Sequence, residues 1–143
     1  MKPRFGQVLL PLAVLVILAG IVYFDQARRA ETAALPRLDC PDPIAGCQVR
    51  LGERTVTLGM DTRPRAMRPF QVWVRASGAR WVRAEFTMVD MDMGLNLYTL
   101  AADKDGVFRA RVTLPVCVTG RQDWLLTLDV DGERGILPFV ISL

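Results

Sequence analysis

The chain has 143 residues, of which 51% are apolar, and a formal net charge of +3. That length suits one domain. It contains no His, which excludes a Ser-His-Asp or Cys-His triad, His-ligated zinc or haem, and His-based copper(II) sites. Two of the 18 basic residues, Lys2 and Arg4, precede the first apolar run, leaving 16 against 15 acidic residues. No basic patch stands out, so no nucleic-acid partner is expected.

The first element is the uncharged run Val8–Phe24, VLLPLAVLVILAGIVYF. As a helix it spans roughly 25 Å, the short end of what a bilayer core requires. Val8, Leu15 and Ile17 lie within the run, while Tyr23 and Phe24 suit the interfacial aromatic belt at its end. A cleaved signal peptide carries a shorter apolar core and then a small-x-small site. Here the run is longer, and Asp25-Gln26-Ala27-Arg28-Arg29 is a poor cleavage site. Residues 1–26 therefore read as an uncleaved transmembrane signal-anchor. Flanking charges are nearly balanced and leave orientation open. A tight Cys pair suits an oxidising compartment. The expected location is a bacterial inner membrane, crossed once, with the domain in the periplasm. Residues 27–46 read as a tether that begins with a short helical extension, Ala27–Leu38, and ends in the Cys40/Cys47 loop.

Residues 47–143 alternate in short bursts. Gln48–Leu51 and Arg54–Leu58 flank Gly52-Glu53, a two-residue hairpin signal. Phe70–Ala76 places Val72 and Val74 on one face, Trp73 and Arg75 on the other. Arg80–Met88 opposes Val82, Ala84 and Phe86 to Arg83 and Glu85. Leu95–Ala101 follows, then the turn Asp103-Lys104-Asp105-Gly106. Val107–Leu114 sets Phe108, Ala110, Val112 and Leu114 inward in the clearest period-2 pattern of the chain. Trp124–Val130 and Ile136–Ile141 complete the set. Seven to eight strands with regular turns, uninterrupted by an amphipathic helix, predict an all-β fold: an antiparallel immunoglobulin-like sandwich. Val72, Val74, Val82, Phe86, Phe108, Val112, Leu126 and Leu128 are its expected core. Arg63–Pro69 is the one extended irregular loop, kept out of the sheet by its prolines and arginines.

Three cysteines are present. Cys40 and Cys47 bracket a Pro/Gly loop, and a disulfide between them closes about eight residues, contributing about 2.5 kcal/mol on the chain-entropy estimate. The alternative pairs one of them with Cys117. Cys117 itself reads in three ways: a small buried hydrophobe, a soft-metal ligand or a disulfide partner.

Phe86–Gly94 reads FTMVDMDMG. In an extended chain Met91 and Met93 share a face, while Met88 joins Asp90 and Asp92 on the other. Copper(I) is soft, takes thioether and thiolate sulfur, and needs no His. Met91 and Met93, with a third sulfur from Cys117, Met60 or Met67, would make a trigonal site. The plain alternative is core packing, since Met often fills gaps in sandwiches.

These residues carry a family resemblance. Met91-Asp92-Met93-Gly94, Tyr98, Asp105-Gly106-Val107-Phe108, Leu114-Pro115, Gly120 and Trp124 resemble the pattern of the YtkA-like and FixH-like families, over roughly 70–130. Those families are exported or membrane-anchored immunoglobulin-like domains linked to copper handling and cytochrome oxidase assembly. The resemblance implies copper(I) ligation by Met91 and Met93 alone; Met88 and Cys117 enter as helper ligands from the reading of the sulfur residues themselves. The resemblance also implies an inner-membrane protein complex or copper-trafficking partner, and no catalysis. The competing function is a non-metal interaction module, with Arg63–Phe70 and Leu95–Tyr98 as contact surfaces. An enzyme would have to use Asp90 with Asp92, or a thiolate; Asp103–Gly106 faintly resembles a calcium loop but fits a hairpin turn better. The expectation is that the protein is not an enzyme.

Overall fold

The computed structural model describes residues 5–89, 91 and 94–142. They divide into two compact units, Met1–Leu35 and Pro36–Leu143.

The first unit is one helix, α1, Phe5–Ala33. It contains Val8, and it exposes Leu15, Ile17, Tyr23 and Phe24. Its window Leu10–Ala27 has a mean hydropathy of 1.9, long and apolar enough by length and composition to cross a membrane. Pro11 lies inside the helix, within its first two turns. The helix runs on through residues 27–33 and ends there, so the expected helical extension Ala27–Leu38 is helical only in its first part.

The second unit has eight strands: β1 Cys47–Leu51, β2 Arg54–Met60, β3 Phe70–Arg75, β4 Val82–Met88, β5 Leu97–Ala102, β6 Val107–Val112, β7 Asp123–Val130 and β8 Glu133–Val140. Every pairing between them is antiparallel, in the order β1-β2-β3-β6-β5-β4-β7-β8. β5 joins the two layers: Leu97–Leu100 pairs with β4, then Ala101 and Ala102 pair with β6. The result is the sandwich that the alternation predicts, with β1-β2-β3-β6 facing β5-β4-β7-β8. All eight expected core residues are buried, Phe108 the least deeply at 5% exposure. Ala110, expected inward, is only partly buried.

The segment before β1 belongs to this unit. Leu38 is buried in the core, and its N–H donates to the Ile136 carbonyl at 2.7 Å. Leu38 and Leu51 sit where a side chain on Gly135 would project, so only glycine lets β8 approach them. Cys40 and Cys47 form the disulfide, with Cα atoms 5.3 Å apart. Met60 N–H donates to Pro43 O at 2.8 Å, holding the disulfide loop on the end of β2. Residues 36–46, assigned to a tether by sequence, are therefore packed and hydrogen-bonded to the sandwich.

Antiparallel order sorts the connections between two ends. One end carries the 52–53, 103–106 and 131–132 turns. There Asp103 Oδ1 accepts from the N–H groups of Asp105 and Val107, so this stretch is a hairpin turn. Asp131 ties three segments together: its carboxylate accepts from Arg80 N–H (3.0 Å) and Trp81 N–H (3.1 Å), and pairs with Arg54 at 3.3 Å. Burial alone would raise its pKa, but those two N–H donors and the Arg54 guanidinium outweigh it and hold the carboxyl below the usual range. The other end carries the connections 61–69, 89–96 and 113–122 and receives the disulfide loop.

Two predictions follow from this packing. Trp73 covers Gly46 and Gly59, and a Cβ on Gly59 would overlap its indole. Gly59→Ala is expected to cost about 1–3 kcal/mol in urea denaturation; an unchanged midpoint would refute the contact. Because the folded pKa of Asp131 is depressed, its stabilising contribution is present above the unfolded carboxyl value of about 3.9 and is lost as pH falls through the folded value. Asp131→Asn should flatten that acid limb of the stability curve, whereas an identical limb would mean that Asp131 does not contribute to it.

Candidate functional site

The loop end is built on an aromatic floor. Phe86 meets Phe70, Tyr98 and Phe139 edge to face, with centroids 6.2, 5.9 and 6.1 Å away. These rings come from β3, β4, β5 and β8 and so join both layers. The Tyr98 hydroxyl donates to Thr113 O at 3.1 Å, which holds the 113–122 loop against β5. Met67 N–H donates to Leu114 O at 2.9 Å and fastens the 61–69 loop to the same place.

Two turns above this floor bring sulfur to sulfur. After Met88 the chain reverses rather than continuing extended. Met91 N–H reaches Met88 O at 3.5 Å, and the two residues form an isolated antiparallel bridge. The expected alternation of Met88 against Met91 is thereby replaced by a turn through Val89. The second turn runs from Cys117 to Gly120, whose N–H donates to Cys117 O at 2.9 Å. Positive φ at Gly120 suits that reversal.

The outcome is a contact of 3.3 Å between the Cys117 thiol and the Met91 thioether. Cys117 is 3% exposed and is the free cysteine of the chain; Met91 is partly buried against the core. Of the three readings of Cys117, the disulfide partner is thus removed by the Cys40–Cys47 bond. Met88 and Met60 are buried among core residues, whereas Met67 is exposed. Met93, Asp90 and Asp92 lie outside the described residues, so the expected Met91/Met93 pair and the acidic pair are not seen together.

Two residues that the sequence reading passed over tune Cys117. The Thr119 hydroxyl lies 3.0 Å from Sγ. That hydroxyl and the Thr119 N–H lower the thiol pKa against the opposing effect of burial, and Arg121 assists through its backbone N–H and its charge. Arg121 is itself held by Asp123 through Nε at 2.9 Å, and that side-chain hydrogen bonding, more than its charge, keeps the Asp123 carboxyl low. A Thr two positions after a Cys is too common a pattern to have been singled out. Beside this site Trp124, paired in register with Met88, buries an indole N–H that has no hydrogen-bond partner among the described residues.

Among the described residues no three His, Cys, Asp or Glu side chains gather as a metal site. Donors for a soft metal are a different set, because a neutral thioether and a readily ionised thiol both bind copper(I). Met91 and Cys117 are such donors, in contact, at a chain reversal. No protein-family model, curated protein or solved structure matches the chain.

The ionisation of Cys117 can be read alone, since the other two cysteines are bonded. Thiolate absorbance near 240 nm against pH should place its midpoint below the ordinary thiol value of about 8.5. Thr119→Val removes a donor to the thiolate and should move that midpoint upward. A midpoint unmoved by the substitution would detach Thr119 from the thiol.

Proposed function

We propose that the protein is a membrane-anchored accessory factor whose exported domain holds or passes copper(I) through sulfur ligands. The observation that carries this reading is the 3.3 Å contact of Met91 Sδ with Cys117 Sγ. Both are soft donors, and the lowered thiol pKa favours the thiolate that a metal would take. Met93 follows Met91 by two residues and is the natural third donor; Met88 supports the turn that carries Met91. The α1 helix serves as a single-pass anchor in a bacterial inner membrane, and the Cys40–Cys47 disulfide suits a periplasmic domain. The resemblance to YtkA-like and FixH-like domains points the same way, toward copper delivery during respiratory oxidase assembly. The protein acts on this reading by binding and transfer, not by catalysis.

One observation favours a second reading, a non-metal interaction module. Leu95 is 84% and Val118 99% exposed, and Leu97, Val116 and Met67 are also exposed at this end. An apolar rim of this kind suits contact with a larger membrane complex.

The test is copper(I) competition against a chromophoric chelator, using the full chain in detergent under mild reduction that leaves Cys40–Cys47 intact. One copper(I) per chain is expected, with Cys117→Ser and Met91→Leu each weakening it about tenfold or more, a loss of about 1.4 kcal/mol or more. Binding that survives both substitutions removes the sulfur pair from the chemistry; no binding at all leaves the interaction module.

A further inference from the structure

A second feature of the loop end is independent of the sulfur pair. The 61–69 connection is polar and Pro-rich, yet its backbone is fixed at four points. Ala66 N–H donates to Ser142 O at 3.0 Å, and Ser142 N–H donates to Pro64 O at 3.1 Å. Met67, held at a φ of 58°, donates to Leu114 O at 2.9 Å. Arg68 N–H closes a turn on Arg65 O at 3.2 Å. This rigid loop walls an open cavity of about 440 Å³ lined by Thr62, Arg63, Arg65, Arg68, Pro69 and Phe70.

Three arginine residues therefore line one open cavity. None of Arg63, Arg65 and Arg68 forms an ion pair with a described residue, whereas Arg54, Arg109, Arg121 and Arg134 are each paired. The nearest carboxylate in the loop, Asp61, accepts the Gln71 N–H at 2.7 Å. The rest of the chain after the apolar run is close to neutral, so this positive charge is local. All three arginines are exposed, so their charge can meet an anion arriving from solvent. Guanidinium groups suit tetrahedral oxyanions because each presents paired N–H donors to two oxygens. Thr62 adds a hydroxyl, and the cavity has room for more than a bare inorganic ion.

We infer that Arg63, Arg65 and Arg68 form a binding site for a phosphoryl group. The group could be delivered by a soluble phosphate compound or by the headgroup of an anionic phospholipid, and the chemistry of recognition is the same. The site does not rest on copper binding, and its test does not use copper.

The experiment places the full chain in bilayer discs and follows the arginine Nε–Hε resonances. In one arm the discs are pure phosphatidylcholine, and inorganic phosphate is titrated at ionic strength held constant with chloride. In the other, phosphatidylglycerol replaces part of the lipid and no phosphate is added. Saturable shifts of these arginine signals in the first arm assign a soluble phosphate ligand. Shifts confined to the second arm assign a lipid headgroup, and shifts in both assign the phosphoryl group whatever its carrier. Arg63→Gln with Arg68→Gln should weaken the response about tenfold or more, while Arg50→Gln, at an exposed position on β1, should change it less than about twofold. Absence of saturable shifts in both arms, or an equal loss with Arg50→Gln, overturns the site.

Discussion

The contact between Met91 and Cys117 exists only because antiparallel pairing returns distant segments to the same end of the sandwich. The two residues are 26 apart in sequence, and their sulfurs are 3.3 Å apart in space. β4 ends where β7 begins, with Met88 opposite Trp124. A one-residue slip of that register would turn Met88 and Phe86 out of the core and withdraw the turn that presents Met91. The aromatic floor opposes such a slip, since Phe86 is fixed edge to face by three rings from three other strands. The site thus inherits its geometry from the core beneath it.

The two ends of the domain differ in what their polar groups do. At the far end the Asp103 carboxylate accepts from backbone donors of its own turn, and that of Asp131 accepts from the Arg80 and Trp81 N–H groups of the neighbouring connection. Glu133 Oε2, buried at the same end, has no hydrogen-bond partner among the described residues. At the loop end, apolar side chains stand exposed, the Trp124 indole N–H has no partner among the described residues, and three arginines lack described acidic partners. Groups left unsatisfied by the fold itself are the ones available to a ligand or partner. The proposed activities therefore fall at one end of the domain.

The strands were legible because one face of each is buried, and burial imposes the period-2 alternation that a reader can see. Phe70–Arg75 and Val82–Met88 are the plainest cases, and the hairpin at Gly52-Glu53 needed only its glycine. Other features depended on long-range packing, which local pattern does not encode. Leu38 looked like part of a tether and is core, because β8 offers Gly135 as a gap. Trp73 looked like an outward aromatic and covers two glycines from separate segments. The site was legible by residue type but not by arrangement. Soft donors without any His pointed to Met91 and Cys117. The extended reading of 88–93 failed to see the turn after Met88, and nothing in the pattern singled out Thr119 or Arg121.

The account stands or falls on sulfur ligation at the loop end. The most direct measurement is the copper K-edge absorption spectrum of the full chain loaded with one equivalent of copper(I), compared with that of Cys117→Ser. The account requires a first coordination shell of sulfur in the native protein, with one sulfur fewer in the variant. A shell made of nitrogen and oxygen, or a sulfur shell that Cys117→Ser leaves unchanged, would contradict it.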